Sequence, residues 1–124
     1  MPEFQNEELQ KILDKIKEAE KKAISEKKTV NFYFNLDDNS YWFEMENEEK
    51  VEFVNLNYLD FYKGKNEFEE KTSGIIYFKI YPDSRKTFLL LYIYDNEKNQ
   101  SYTLFSNPFL NIEIYKGEIY EEEI

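Results

Sequence analysis

The spacing of hydrophobic positions changes once, near residue 29. Before it, Leu9, Ile12, Leu13, Ile16, Ala19, Ala23 and Ile24 recur every three or four residues among charged neighbours, the pattern of an amphipathic helix with one buried stripe. The spacing predicts a helix over residues 6–28. Asn6 is suited to cap it, Glu7 and Glu8 fall in its first turn, and Lys21, Lys22, Lys27 and Lys28 lie toward its end, so both ends complement the helix dipole. The stripe is expected to pack on the chain's own sheet, the alternative being pairing with a second copy through residues 6–28.

From Thr29 onward the period is two. Val30, Phe32, Phe34 and Leu36 alternate with Asn31, Tyr33 and Asn35. A turn at Asp37-Asp38-Asn39-Ser40 leads into Tyr41, Phe43 and Met45 alternating with Trp42, Glu44 and Glu46, which reads as a hairpin. Val51 and Phe53 then fall on one phase and Val54, Leu56 and Tyr58 on the other, so a bulge is expected near Phe53. Lys63 to Gly74 has no apolar period and reads as a loop or a short helical turn. Ile75–Tyr81 is a further strand, ended by Pro82-Asp83-Ser84-Arg85. Phe88–Tyr94, apolar on both phases, is expected to be the most central strand. Ser101–Phe105 and a strand over Leu110, Ile112 and Ile114 follow. Lys116-Gly117 then turns toward Ile119–Tyr120 and an acidic tail at 121–124. The expected fold is α+β: a single N-terminal amphipathic helix packed on a curved, mostly antiparallel meander sheet of six or seven strands spanning 29–120, in one domain of residues 1–124.

Composition narrows the chemistry. The chain has no His and no Cys, which removes imidazole bases, Ser-His and Cys-His nucleophile pairs, thiolates, disulfides and the usual zinc ligands. It carries no Gly-rich phosphate loop and no nucleophile elbow. A non-enzymatic protein without metal or cofactor is the expectation. Eleven Phe, eleven Tyr and Trp42 exceed what one small core encloses, so several rings are expected at the surface. Tyr33 and Trp42 fall on the polar phase of the first hairpin, and Tyr77, Tyr81, Tyr115 and Tyr120 on polar or ambiguous phases. The start of the chain is charged, and its longest apolar run is far short of the ~20 residues a membrane helix needs. A cytoplasmic location without membrane contact is expected, in a host's cytoplasm if the source is viral.

The net charge is −10, from 26 acids and 16 bases. Residues 1–28 hold seven of each, so the excess belongs entirely to the sheet and tail. Asp37, Asp38, Glu44, Glu46, Glu48, Glu49 and Glu52 form one cluster, Glu67, Glu69 and Glu70 a second, and Glu118 and Glu121–Glu123 a third. Same-face strand residues recur every ~6.7 Å, with strands ~4.8 Å apart, so acids on one face can approach the charge density of a phosphate backbone. Direct nucleic-acid binding is not expected, since it relies on Lys and Arg meeting phosphates and the chain has one Arg. The implied partner is a basic protein, a nucleic-acid-binding enzyme, met by Tyr33 and Trp42 as anchors and by Asp37, Asp38, Glu44, Glu46, Glu48, Glu49, Glu52, Glu67, Glu69 and Glu70 as charge.

In size, charge and aromatic content, though not in any motif, the chain resembles the small acidic anti-CRISPR and anti-defence proteins of phages and archaeal viruses, and the immunity proteins that neutralise nuclease toxins. The resemblance implies an inhibitor that blocks a nucleic-acid channel by mimicry. A different class of function, a small-ligand module, would need an aromatic pocket between helix and sheet lined by residues such as Phe34, Phe43, Tyr92 and Tyr102.

Overall fold

A computed structural model describes residues 6–46, 51–108 and 110–123. The acids Glu48 and Glu49 lie outside the described residues. The helix α1 spans Glu7–Glu26; the Asn6 side chain accepts from the Leu9 amide at 3.1 Å, and Lys27, left-handed at φ 56°, ends it. Nine strands follow: β1 Val30–Asn35, β2 Ser40–Met45, β3 Val54–Asn55, β4 Leu59–Asn66, β5 Glu70–Lys71, β6 Ile75–Ile80, β7 Leu89–Asp95, β8 Gln100–Asn107 and β9 Leu110–Lys116. The fold is α+β, as expected.

The strands form two antiparallel sheets rather than one meander, ordered β3-β2-β1-β6 and β5-β4-β7-β8-β9. The chain crosses from the first sheet to the second after β3, returns for β6 and crosses again for β7. Alternation records which side of a strand is buried but not which strand lies beside it, so this order is invisible in the pattern. β7 is the middle strand of the second sheet, as its two apolar phases require. The stretch 63–74 is not a loop: β4 runs on to Asn66 and a short hairpin returns as β5. The bulge lies in β4, between Phe61 and Lys63, instead of near Phe53.

One continuous core joins the three layers. It draws Leu9, Ile12, Ile16, Ala19 and Ala23 from α1, Val30, Phe32, Phe34, Ile76, Phe78 and Ile80 from the first sheet, and Leu59, Phe61, Leu89, Leu91, Ile93 and Leu104 from the second. The helical stripe is therefore buried inside its own chain, which takes up the surface on which pairing through residues 6–28 would rest; Ile24 alone of the stripe is exposed. The sheets approach most closely at Gly64, where an added Cβ would stand 2.9 Å from Ile76 Cγ2.

Buried polar groups fasten the layers together. The Glu8 carboxylate accepts the amides of Asn57, Tyr58 and Leu59 at 2.7, 2.9 and 3.1 Å, tying α1 to the start of β4. Asn6 donates to the fully buried Asp95 at 2.8 Å. Asn39, left-handed at φ 57° in the β1–β2 turn, accepts from the Phe61 amide and donates to Asp60, joining the two sheets. Asn66 donates to the Tyr77 carbonyl, while Lys79 exchanges backbone bonds with Thr87. These side-chain contacts occupy part of the outer edge of β6, which would otherwise offer free strand groups.

Candidate partner-binding surface

Both sheets turn one face inward, and each outer face is aromatic. On the first sheet the outward positions are Asn31, Tyr33 and Asn35 of β1, Ser40, Trp42 and Glu44 of β2, and Ile75, Tyr77 and Lys79 of β6. The register sets Trp42, Tyr33 and Tyr77 directly side by side. Their rings form a row: Tyr33 stacks on Trp42 at 5.4 Å and 18°, Tyr77 follows at 5.8 Å, and Phe53 covers the far side of Trp42 at 4.7 Å. With strands ~4.8 Å apart, the four rings extend roughly 15 Å across the sheet. Beyond Tyr77, Phe68 lines a small groove with Asn66, Glu67, Lys79 and Thr87.

The row is open to solvent at both ends. Phe53 is 59% exposed and Phe68 74% exposed, and with Ile75 they make up three of the five exposed large hydrophobic side chains among the described residues. Concentration of such residues on one face marks a contact surface more than scattered exposure does. Trp42 itself is nearly covered, only 7% exposed, so it acts as the floor of the row and Phe53 as its raised edge. The Trp42 indole donates to Glu44 at 3.1 Å. Burial, followed by the Glu44 charge, raises the Tyr33 phenol above its ordinary range.

The predicted acids do not all gather here. Glu44 lies on the face, Glu46 is exposed just past β2, and Glu67 lines the end groove. Asp37 and Asp38 sit at the opposite end of the hairpin, where they accept from the Gly74 amide and the Ser40 hydroxyl. Glu52 turns toward the helix and pairs with Lys15 at 2.8 Å, which holds its carboxyl below the usual range. Glu69 and Glu70 pair with Lys71 and Lys63. The stretch Asp37–Glu52 is thus not one acidic face: a sheet position next to a lysine of another element forms an ion pair that sequence separation conceals.

The second sheet's outer face has the opposite fate. Leu90, Tyr92 and Phe105, with Tyr62, Phe88 and Tyr115, form a second apolar cluster, and the chain after Gly117 (φ 88°) folds back over it. Thr103 Oγ1 donates to the Gly117 carbonyl and accepts from the Ile119 amide. Tyr92 donates to the Ile119 carbonyl, Tyr62 to Glu118, and Lys65 to Glu121. Burial and the Glu118 charge push the Tyr62 and Tyr92 phenols up to about 12. The expected acidic tail is therefore a strap bonded to its own sheet, ending in a short 3₁₀ turn.

Residues named for a ligand pocket do not share a cavity. Phe34 is fully buried in the core, Phe43 lies beneath Lys15 and Lys22 of the helix, and Tyr92 is on the outer face under the strap. Among the described residues no three acidic side chains converge to hold a metal ion, and no helix is long and apolar enough to cross a membrane. Phe53, Phe68, Ile75 and Asn31 belong to the open face and were not singled out as site residues. Only Phe68 carried a signal: a large ring among acids in a stretch with no apolar period. No protein-family model, no curated protein and no solved structure matches the chain.

Proposed function

We propose that the protein is a non-enzymatic inhibitor that docks the outer face of its first sheet onto a basic, nucleic-acid-binding enzyme, a nuclease or CRISPR-type effector, and so excludes nucleic acid. One observation carries this reading: of two aromatic outer faces, the chain roofs one with its own strap and leaves the other bare, with three exposed apolar side chains around a stacked row. A bare aromatic row with a polar margin is the composition of an interface centre. The net charge of −10 adds long-range attraction to a basic partner and sets the association rate more than the lifetime. Because the acids are dispersed, the rings supply the docking energy and the charge supplies steering, so mimicry lies in overall potential instead of a regular row of carboxylates.

The test is capture of partners from the source organism's lysate on the immobilised protein, followed by an oligonucleotide-binding assay on what is recovered. The expected result is a basic protein whose nucleic-acid binding falls as the inhibitor is titrated in, with retention weakening from about 0.1 to 0.5 M salt. Recovery of no basic partner, or a partner that binds nucleic acid equally well in the complex, would contradict the proposal.

A further inference from the structure

Asn31 sits at the centre of β1, opposite Glu44 on one side and Lys79 on the other. Its Oδ1 is buried and has no hydrogen-bond partner, the one such side-chain atom among the described residues. A buried acceptor left unpaired destabilises the protein that contains it, and a strand position flanked by two apolar or aromatic neighbours would accept Val or Thr without that cost. Rule-breaking positions of this kind concentrate where function requires them.

The surroundings supply the missing partner's description. Glu44 is held in place by the Trp42 indole through Oε2, and its Oε1 has no bonded partner among the described residues. The Tyr33 ring lies on the same face, two residues along β1 from Asn31, and its phenol senses the Glu44 charge. Two acceptors and a ring face meet with no donor between them. Lys79, the nearest cation by register, instead lines the groove with Phe68 on the other side of Tyr77. A group that donates two diverging N–H bonds, carries positive charge and stacks flat on a phenol ring is a guanidinium; an ammonium fits the charge but not the fork or the stack.

We propose that Asn31, Tyr33 and Glu44 form a subsite for an arginine side chain of the partner, with Glu44 Oε1 and Asn31 Oδ1 accepting from the guanidinium and Tyr33 stacking beneath it. This rests on the docking face proposed above and names the residue that face receives. Side chains on an open sheet face change rotamer on the nanosecond scale, which lets the entering group reach Oδ1. The arrangement makes a paired signature. Asn31→Val removes the orphan acceptor, so the free protein gains stability while arginine binding weakens; a purely structural Asn would give the first effect without the second.

The test uses the whole chain and its only tryptophan, Trp42, as reporter. Blocked Gly-Arg-Gly and Gly-Lys-Gly are titrated while indole fluorescence and the indole N–H resonance are followed. The expected result is saturable binding of the arginine peptide about tenfold tighter than the lysine peptide. Asn31→Val and Glu44→Gln should each reduce that preference to near one, and Asn31→Val should raise Tm by about 3–6 °C. Equal affinity for the two peptides, or an unchanged arginine preference in either variant, would overturn the subsite. If the subsite fails while lysate capture through this face succeeds, the docking face stands; if arginine binds here and no basic protein is captured, the inhibitor reading falls and the subsite stands.

Discussion

Removing the Glu8 carboxylate tests the joint between helix and second sheet. In Glu8→Ala three backbone amides lose their acceptor together. The Leu59 amide belongs to a residue only 1% exposed; water cannot replace the carboxylate there, and an orphaned buried donor costs about 1–3 kcal/mol. The amides of Asn57 and Tyr58 lie in a loop whose residues are exposed and half-buried, so they rehydrate and together add about 1 kcal/mol. The expected loss is about 3 kcal/mol, a large part of the 5–15 kcal/mol available to a domain. Urea unfolding followed by Trp42 fluorescence should show a lower midpoint at unchanged slope, and Tm should fall by about 10 °C. Glu7→Ala, one residue away and exposed, should cost about 0.5 kcal/mol or less. A loss for Glu8→Ala no larger than that of Glu7→Ala would refute the clamp.

Other outcomes follow from the same packing. Gly64→Ala puts a methyl 2.9 Å from Ile76 Cγ2 and 3.1 Å from Cδ1 of a fully buried side chain, so thermal unfolding should show a loss of about 1–3 kcal/mol, part of it recovered in the Ile76→Val background, which lacks Cδ1. The Tyr41, Tyr62 and Tyr92 phenols are held near 12, chiefly by burial, against 10 unfolded. Between those pH values the unfolded chain has lost protons the folded chain keeps, so stability is unaffected below pH 10 and falls as pH rises toward 12, by at most about 1.4 kcal/mol per unit for each buried phenol. Deleting residues 118–124 should bring the Tyr62 and Tyr92 titrations back toward 10 in ultraviolet difference spectra and leave Tyr41 unchanged. A Tyr41 shift of the same size would mean that the strap supports the core as a whole.

The helix and first hairpin were legible because their information is local: a cap, a 3.6-residue stripe, a period-two alternation and an Asp-Asp-Asn turn. The strand β7 was legible as central because both its phases are apolar. The division into two sheets was not, because it depends on long-range partners such as Gly64 with Ile76 and Asn39 with Phe61, and neither pairing leaves a periodic trace. Within 63–74, the β4 bulge after Phe61 breaks the alternation by which the strand would have been recognised. Tyr33 and Trp42 announced the open face by standing on the polar phase of a hairpin. Its acidic rim was overestimated because Glu52, Glu69 and Glu70 find lysines on other elements or a neighbouring strand. Tyr92 shows the converse: an aromatic on an outer phase reads as exposed until the strap from Gly117 is placed over it.

Two single substitutions on opposite faces test the central claim most directly. Tyr33→Ala interrupts the open row between Trp42 and Tyr77, whereas Tyr94→Ala removes a half-buried ring from the other sheet's outer face. Truncating a ring at an interface centre typically costs 2 kcal/mol or more, about thirtyfold in affinity. With the captured basic partner immobilised, Tyr94→Ala should bind as the parent protein does and Tyr33→Ala about thirtyfold more weakly. Equal binding by Tyr33→Ala and the parent, or a loss confined to Tyr94→Ala, would contradict the assignment of the first sheet's outer face as the docking surface.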